Sequence, residues 1–234
     1  MKNNRPDKDS FEQWNEVHAL KHDLDKFYNH PNRIFRYIEN KRINVLLKFA
    51  NIHDGEKVLD LGCGIGNILE RIKKGILYGV DISSVQIERA KKRLGTRVNL
   101  SISPGENLPF DNGFFDKIIC TEVFEHVLEP GLIFNEMHRV LKNEGLISLS
   151  IPNEKMINFT KSFLLNFGLR RILEPKESNW DLASKNNLDE WHLHEYSLNL
   201  IKKQVDKKFK ISNIKRIPFY FLPYRYVLVI KKRK

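Results

Sequence analysis

Two short stretches hold most of the residues that could do chemistry. In Val58-Leu59-Asp60-Leu61-Gly62-Cys63-Gly64-Ile65-Gly66-Asn67, three glycines alternate with other residues behind an apolar run. Such a turn folds tightly and lets a ligand lie against main-chain NH groups, which a Cβ would obstruct. On spacing alone it fits any nucleotide-type ligand, or a plain strand-to-helix connection. The second stretch is Glu122-Val123-Phe124-Glu125-His126. Imidazole titrates near neutrality, so His126 is the candidate general base; orienting a loop or capping the following turn is the alternative. Glu122, Glu125 and His126 also share the spacing of one helical turn. With His192 or His194 they have the donor types of a metal site.

The elements that must position these residues follow from periodicity. Trp14, Val17 and Leu20, then Ile34, Ile38, Leu46, Leu47 and Phe49, predict helices over residues 11–50 broken at Pro31, with residues 1–10 disordered. Strands are expected around Val58–Leu61, Ile76–Val80, Val98–Ile102, Asp116–Thr121 and Leu146–Ile151. Helices intervene after Asn67, after a cap at Ser83 or Ser84, and over about Gly131 to Lys142, closed by Asn143 to Gly145. This alternation predicts an α/β fold with a doubly wound, mostly parallel sheet of seven strands. Its last pair, Phe209–Ile217 and Tyr226–Lys231, should be an antiparallel hairpin on the sheet edge. The glycine turn, Asp81, the loop at Gly105 and the segment after Thr121 then share the carboxyl edge, where such sheets bind ligands. Residues 1–50 read as a helical cap and 51–234 as the main domain. Within it, 152–196 form an irregular insertion on the acceptor side.

Composition narrows the function classes. The chain has 234 residues, a net charge of +11 and two cysteines. Its lysines are spread over helix faces and the tail, which predicts a solvated basic surface rather than a nucleic-acid groove. Cys63 and Cys120 sit in apolar strand contexts and read as packing residues. There is no run of about 18 apolar residues and no signal-peptide pattern, so a cytoplasmic protein without a transmembrane segment is expected.

Taken in order, VLDLGCGIGN, YGVDIS, GENLPF, FFDKIICTEVFEHV and HRVLKNEGLISLSIPN resemble the class I S-adenosylmethionine-dependent methyltransferases, in the branch of the ubiquinone and menaquinone biosynthesis enzymes. The resemblance covers about residues 50 to 155. It implies S-adenosylmethionine as cofactor and S-adenosylhomocysteine as product. Gly62, Cys63 and Gly64 would lie against the methionine portion, with Asp60 toward its ammonium. Asp81 would accept both ribose hydroxyls, Ile82 would pack on adenine, and Thr121 with Glu122 would line the methionine carboxylate and amino group. In the branch an Asp before Leu-Pro-Phe binds the adenine amino group; that position holds Pro104 here. Glu106 is assigned in its place, with the backbone at Gly105 and Asn107 as the alternative.

The resemblance implies methyl transfer to a small-molecule acceptor, most readily an oxygen, with His126 as the catalytic residue and no metal assigned. Two alternatives stay open. One is an RNA 2′-O-methyltransferase with a metal at Glu122, Glu125 and His126, and the other is a protein that binds S-adenosylmethionine without catalysis. The acceptor would meet the N-terminal helices and the insertion, where Trp180, Trp191, Phe159, Phe163 and Phe167 line an apolar pocket or pack in the core.

Overall fold

Along the first strand, β1 (Lys57–Leu61), Val58 faces one buried cluster while Leu59 and Leu61 face another. The period of two therefore supplies apolar side chains to both faces, as a parallel sheet covered by helices requires. The computed structural model describes residues 6–21, 24–168, 192–194, 196–205 and 207–233. The other strands are β2 (Ile76–Asp81), β3 (Val98–Ile102), β4 (Phe115–Thr121), β5 (Leu141–Pro152), β6 (Phe209–Pro218) and β7 (Pro223–Lys232). They form one seven-stranded sheet in the order β3-β2-β1-β4-β5-β7-β6. All pairings are parallel up to β5; β7 then runs antiparallel to both β5 and β6. The terminal hairpin is thus antiparallel, with β6 at the edge.

Eight helices surround this sheet among the described residues: α1 (Phe11–Lys21), α2 (Leu24–Tyr28), α3 (Arg33–Ala50), α4 (Asn67–Arg71), α5 (Ser84–Leu94), α6 (Pro130–Val140), α7 (Glu154–Asn166) and α8 (Leu198–Val205). One buried cluster joins Ile43 and Leu46 of α3, Ile68 and Leu69 of α4 and Ile87 and Ala90 of α5 to the strands. The other joins Ile133 and Met137 of α6 and Ile201 and Val205 of α8. Each such side chain stabilises the fold by about 1.5–3 kcal/mol. Helix starts follow side-chain chemistry: Asn32 accepts from the amides of Ile34 and Phe35 ahead of α3, and Ser83 caps α5 by accepting from Gln86. Among the described residues no helix is long and apolar enough to cross a membrane.

The loop expected at Gly105 holds, with no helix over residues 103–114, all of them described. Phe110, Phe114 and Phe115 instead gather around Tyr78, with ring centroids 5.3 to 5.8 Å from it, and cover the sheet there. Several expectations are corrected. Helix α6 stops at Val140, and Asn143 to Gly145 fall where the β4–β5 register jumps from Phe115↔Leu141 to Lys117↔Leu146. Residues 7–10 make a turn in which Asp7 and Ser10 bond one another reciprocally, rather than being disordered. The buried face of α1 is Phe11, Asn15, His18 and Ala19, whereas Val17 and Leu20 are exposed, because α1 packs sideways on α5. Part of the insertion is regular: Asn153 caps α7. Phe159, Phe163 and Phe167 of that segment are exposed rather than in the core. Trp180 and Trp191 lie outside the described residues. Cys63 and Cys120 are buried free thiols, in keeping with packing roles.

Candidate active site

The glycine turn is folded onto the end of β2. The amides of Gly62 and Cys63 both donate to Val80 O, at 2.8 and 3.0 Å, and the Gly64 amide donates to Asp81 Oδ2 at 2.8 Å. These NH groups therefore hold the turn in place, where the sequence suggested they would face a ligand directly. The bare Cα surface is closely covered by neighbouring side chains. Gly62 has φ +73°, and a Cβ on it would fall 2.3 Å from Val123 Cγ2; on Gly64, at φ +51°, it would meet Leu24 Cδ1 of α2 at 2.8 Å. No side chain fits at either place without displacement.

Two carboxylates stand beside this turn. Asp81 accepts from Gly64 and, through Oδ1, from the Ser83 amide at 2.9 Å; burial nevertheless holds its pKa above the ordinary value. Asp60, in the middle of β1, has no exposed surface, and neither carboxylate oxygen has a hydrogen-bond partner among the described residues. Burial, followed by the nearby Asp81 charge, pushes its pKa up to about 8, against the pull of Arg42. A buried acceptor left without a donor is costly, and a cationic ligand would relieve it. The ammonium and sulfonium of S-adenosylmethionine fit this environment.

The remaining edge residues surround these two. Ser103 N donates to Asp81 O at 3.0 Å, which ties the loop after β3 to the same edge. Gly105 sits against Ile133 and Leu61, and half-buried Glu106 lies in the Pro104–Asn107 turn with its pKa raised by burial. Ile82 is half-buried between Asp81 and the cap of α5. Thr121 is buried at the end of β4, and Glu122 follows with a left-handed φ of 51°. The Glu122 carboxylate is engaged away from the glycine turn: Arg225 Nε lies 3.0 Å from Oε2, and Ser150 Oγ donates to Oε1 at 3.0 Å. Val123, its neighbour, is the residue that contacts Gly62.

His126 closes a 3-10 turn formed by Phe124 to His126 and is half-buried. Its ring centroid lies 4.9 Å from that of His192. His194 instead bonds Val127 O through Nε2 at 2.7 Å, so of the two later histidines only His192 joins His126.

Two features escaped the sequence reading. Glu16 of α1 accepts from Ser83 Oγ at 2.8 Å and from the Ser84 amide at 2.5 Å, so α1 docks over the start of α5; nothing local in the sequence marks this. A buried ionic network joins Glu39 and Arg42 of α3 to Glu122, Ser150 and Arg225. A signal for it existed: Glu39 and Arg42 fall in the same helical phase as the buried Ile43 and Leu46.

Comparison with known proteins bears on the domain and the fold. Residues 59–149 match a family model described as Methyltransferase domain. The chain is 29% identical over 141 residues to a demethylmenaquinone methyltransferase of Staphylococcus epidermidis, covering 56% of this chain and 58% of that one. It is 30% identical over 124 residues to a ubiquinone biosynthesis O-methyltransferase of Vibrio campbellii, covering 50% and 53%. The match thus spans little more than half the length of these curated relatives. In fold it resembles a SAM-dependent methyltransferase from Aquifex aeolicus, with a TM-score of 0.60 at 16% identity, over 89% of this chain and 98% of that one. The chain thus carries a methyltransferase domain over residues 59–149, and its relatives and strand order liken it to the class I S-adenosylmethionine-dependent methyltransferases of the ubiquinone and menaquinone biosynthesis branch.

Proposed function

We propose that the protein is a cytoplasmic enzyme that methylates an oxygen of a small, largely apolar molecule. The observation that carries the cofactor half is Asp60, a buried carboxylate without a donor beside a glycine surface that tolerates no Cβ. S-adenosylmethionine, when bound, supplies an electrophilic methyl group on a sulfonium. In this reading Gly62, Cys63 and Gly64 hold its methionine half, Asp60 balances the ammonium and Thr121 closes that end. Asp81 takes the ribose hydroxyls, whose two donors match its two oxygens. Ile82, Gly105 and Glu106 receive adenine.

The acceptor half rests on position. Exposed Phe159 and Phe163 of α7 and Phe219 to Phe221 of the β6–β7 turn lie beyond the carboxyl ends of β4 and β5. The Thr160 and Tyr224 hydroxyls, 3.1 Å apart, tie α7 to that turn. This apolar rim suits an aromatic or prenyl-like acceptor, and the resemblance to a ubiquinone biosynthesis O-methyltransferase supports oxygen. His126, on the turn after β4, draws the proton from the acceptor hydroxyl, and aligning that oxygen behind the methyl carbon accounts for much of the remaining rate.

Titration calorimetry with S-adenosylmethionine tests the cofactor half. Saturable binding that is lost in Asp81→Ala is expected; binding indifferent to that change would refute the assignment. Incubation with labelled cofactor and a cell extract tests the acceptor half, with label expected in an organic-extractable small molecule rather than in RNA.

A further inference from the structure

We propose that Arg225, on the terminal hairpin, is a positioning residue for methyl transfer: through the Glu122 carboxylate it holds the turn over residues 122–126 in the conformation that lays Val123 on Gly62 and sets His126 on the acceptor side. The contacts stand on their own geometry; only the effect on the cofactor rests on the function proposed above.

The backbone at Glu122 needs holding. Its φ of 51° is left-handed, which a residue with a Cβ disfavours. Among the described residues the other such case, Asn51, ends α3 as its C-cap, a place where asparagine is common. Glu122 ends no helix. It follows β4 directly, and its amide still donates to Ser150 O at 3.2 Å, one step beyond the Thr121↔Ser150 pairing. Strained conformations of this kind persist where the surroundings over-determine them.

Here the side chain supplies the second constraint. Ser150 Oγ donates to Glu122 Oε1 at 3.0 Å, Arg225 Nε lies 3.0 Å from Oε2, and Arg42 Nη1 stands farther off at 3.9 Å from Oε1. Arg225 is therefore the close cation. Its own place is set by the sheet, since β7 puts it opposite Pro152 of β5 and Ile217 of β6. Nη1 donates to Tyr224 O at 3.1 Å and Nη2 lies 3.4 Å from Glu39 Oε1, so the planar fork is fixed on three sides.

Two parts of the site depend on that turn. Val123, the next residue, has Cγ2 2.3 Å from where a Cβ on Gly62 would stand, so it lies directly on the glycine turn. Val123 O accepts from the His126 amide at 3.0 Å and closes the turn that carries the imidazole. A rotation at Glu122 would thus displace the cover of the cofactor turn and the acceptor-side histidine together.

The test is a double-substitution cycle. Glycine takes a left-handed φ freely and removes the carboxylate, so Arg225→Met should act in the wild-type chain and lose its effect in Glu122→Gly. In the wild-type background it is expected to weaken S-adenosylmethionine about tenfold by calorimetry. It should also shift the Gly62 amide and His126 ring signals in NMR of the ligand-free chain. In the Glu122→Gly background neither readout should change further. A guanidinium that merely fastened the hairpin would cost the same in both backgrounds; that result, or unmoved Gly62 and His126 signals in Arg225→Met, would overturn the proposal. Lys117→Met is the control for stability. It breaks a buried pair with Glu56, 3.4 Å long, at the far end of β4, and should lower the urea midpoint while leaving both readouts in place. If Arg225→Met does not fold, Arg225→Lys replaces it, with the same loss of effect expected in Glu122→Gly. Ligand-free signals that behave as expected in a chain that binds no S-adenosylmethionine uphold the positioning and defeat the cofactor reading. Cofactor binding indifferent to Arg225 does the opposite.

Discussion

Arg42 Nε lies 2.8 Å from Glu39 Oε2 one helical turn away, and both side chains are buried. The pair faces the sheet, where Arg42 also donates to Ser150 Oγ at 2.9 Å and Arg225 Nη2 reaches Glu39 Oε1 at 3.4 Å. Helix α3 is thereby fastened to β5 and β7, and Glu122 is held at the end of β4. Removing one member leaves the others desolvated and uncompensated. Arg42→Met is expected to cost about 3–5 kcal/mol in urea denaturation, whereas replacing Glu39 and Arg42 together by Leu should recover much of that loss. A cost below about 1 kcal/mol for the single change would show that the network contributes little.

Asp60 predicts a pH dependence with a defined sign. Its folded pKa of about 8 lies above the reference 3.8, so the folded chain binds the extra proton between those values. Stability should therefore fall as pH rises from about 4 to about 8, and Asp60→Asn should abolish that portion of the slope. An ammonium ligand prefers the ionised carboxylate. Affinity for S-adenosylmethionine should then weaken by up to about tenfold per pH unit below 8, with proton release on binding. Calorimetry in buffers of different ionisation enthalpy reads that release directly, and an invariant enthalpy would exclude Asp60 as the partner.

How far the chemistry was legible in the sequence can be argued from these residues. Asp60, Gly62, Asp81 and His126 are local signals, because a strand end followed by a turn is written in consecutive residues. The order of β1 to β5 followed from alternating periods in the same way. What the chain alone could not show is what packs across it. Glu16 reaches Ser83 from 67 positions away, and Leu24 lies on Gly64, contacts set by the docking of α1 and α2. What covers the sheet between β3 and β4 was hidden for a related reason. Phe110, Phe114 and Phe115 cover the sheet through aromatic contacts that leave no 3.6-residue period.

The turn itself separates backbone strain from crowding. Gly62 and Gly113 both have positive φ, +73° and +63°, but only at Gly62 would a Cβ strike a neighbour. Gly113→Ala should cost about 1–2 kcal/mol for the left-handed backbone alone. Gly62→Ala should cost more, since Val123 must also move, and it should abolish cofactor binding while Gly113→Ala leaves it intact. Equal stability losses at the two sites would remove the argument from crowding.

Helix α2 supplies the last prediction, which concerns access to the turn. Leu24 fills the space beside Gly64, and Asp25 pairs with Arg89, at 3.1 Å, and with Arg93 of α5. Both arginines and Asp25 are partly exposed, so the pairs are screened and worth little each. A five-residue element without a fully buried side chain, held by Leu24, the packing of Tyr28, the Phe27–Phe35 ring contact and solvated ion pairs, should open locally at lower free energy than β1 or β4. Amide exchange is therefore expected to be fast across α2 and slow in the strands. Asp25→Asn should raise the association rate of S-adenosylmethionine and weaken in 0.5 M salt the difference from wild type, because screening removes the same pairs. Should the rate be unchanged while exchange across α2 accelerates, the ligand enters by another side of the glycine turn and Leu24 is packing alone.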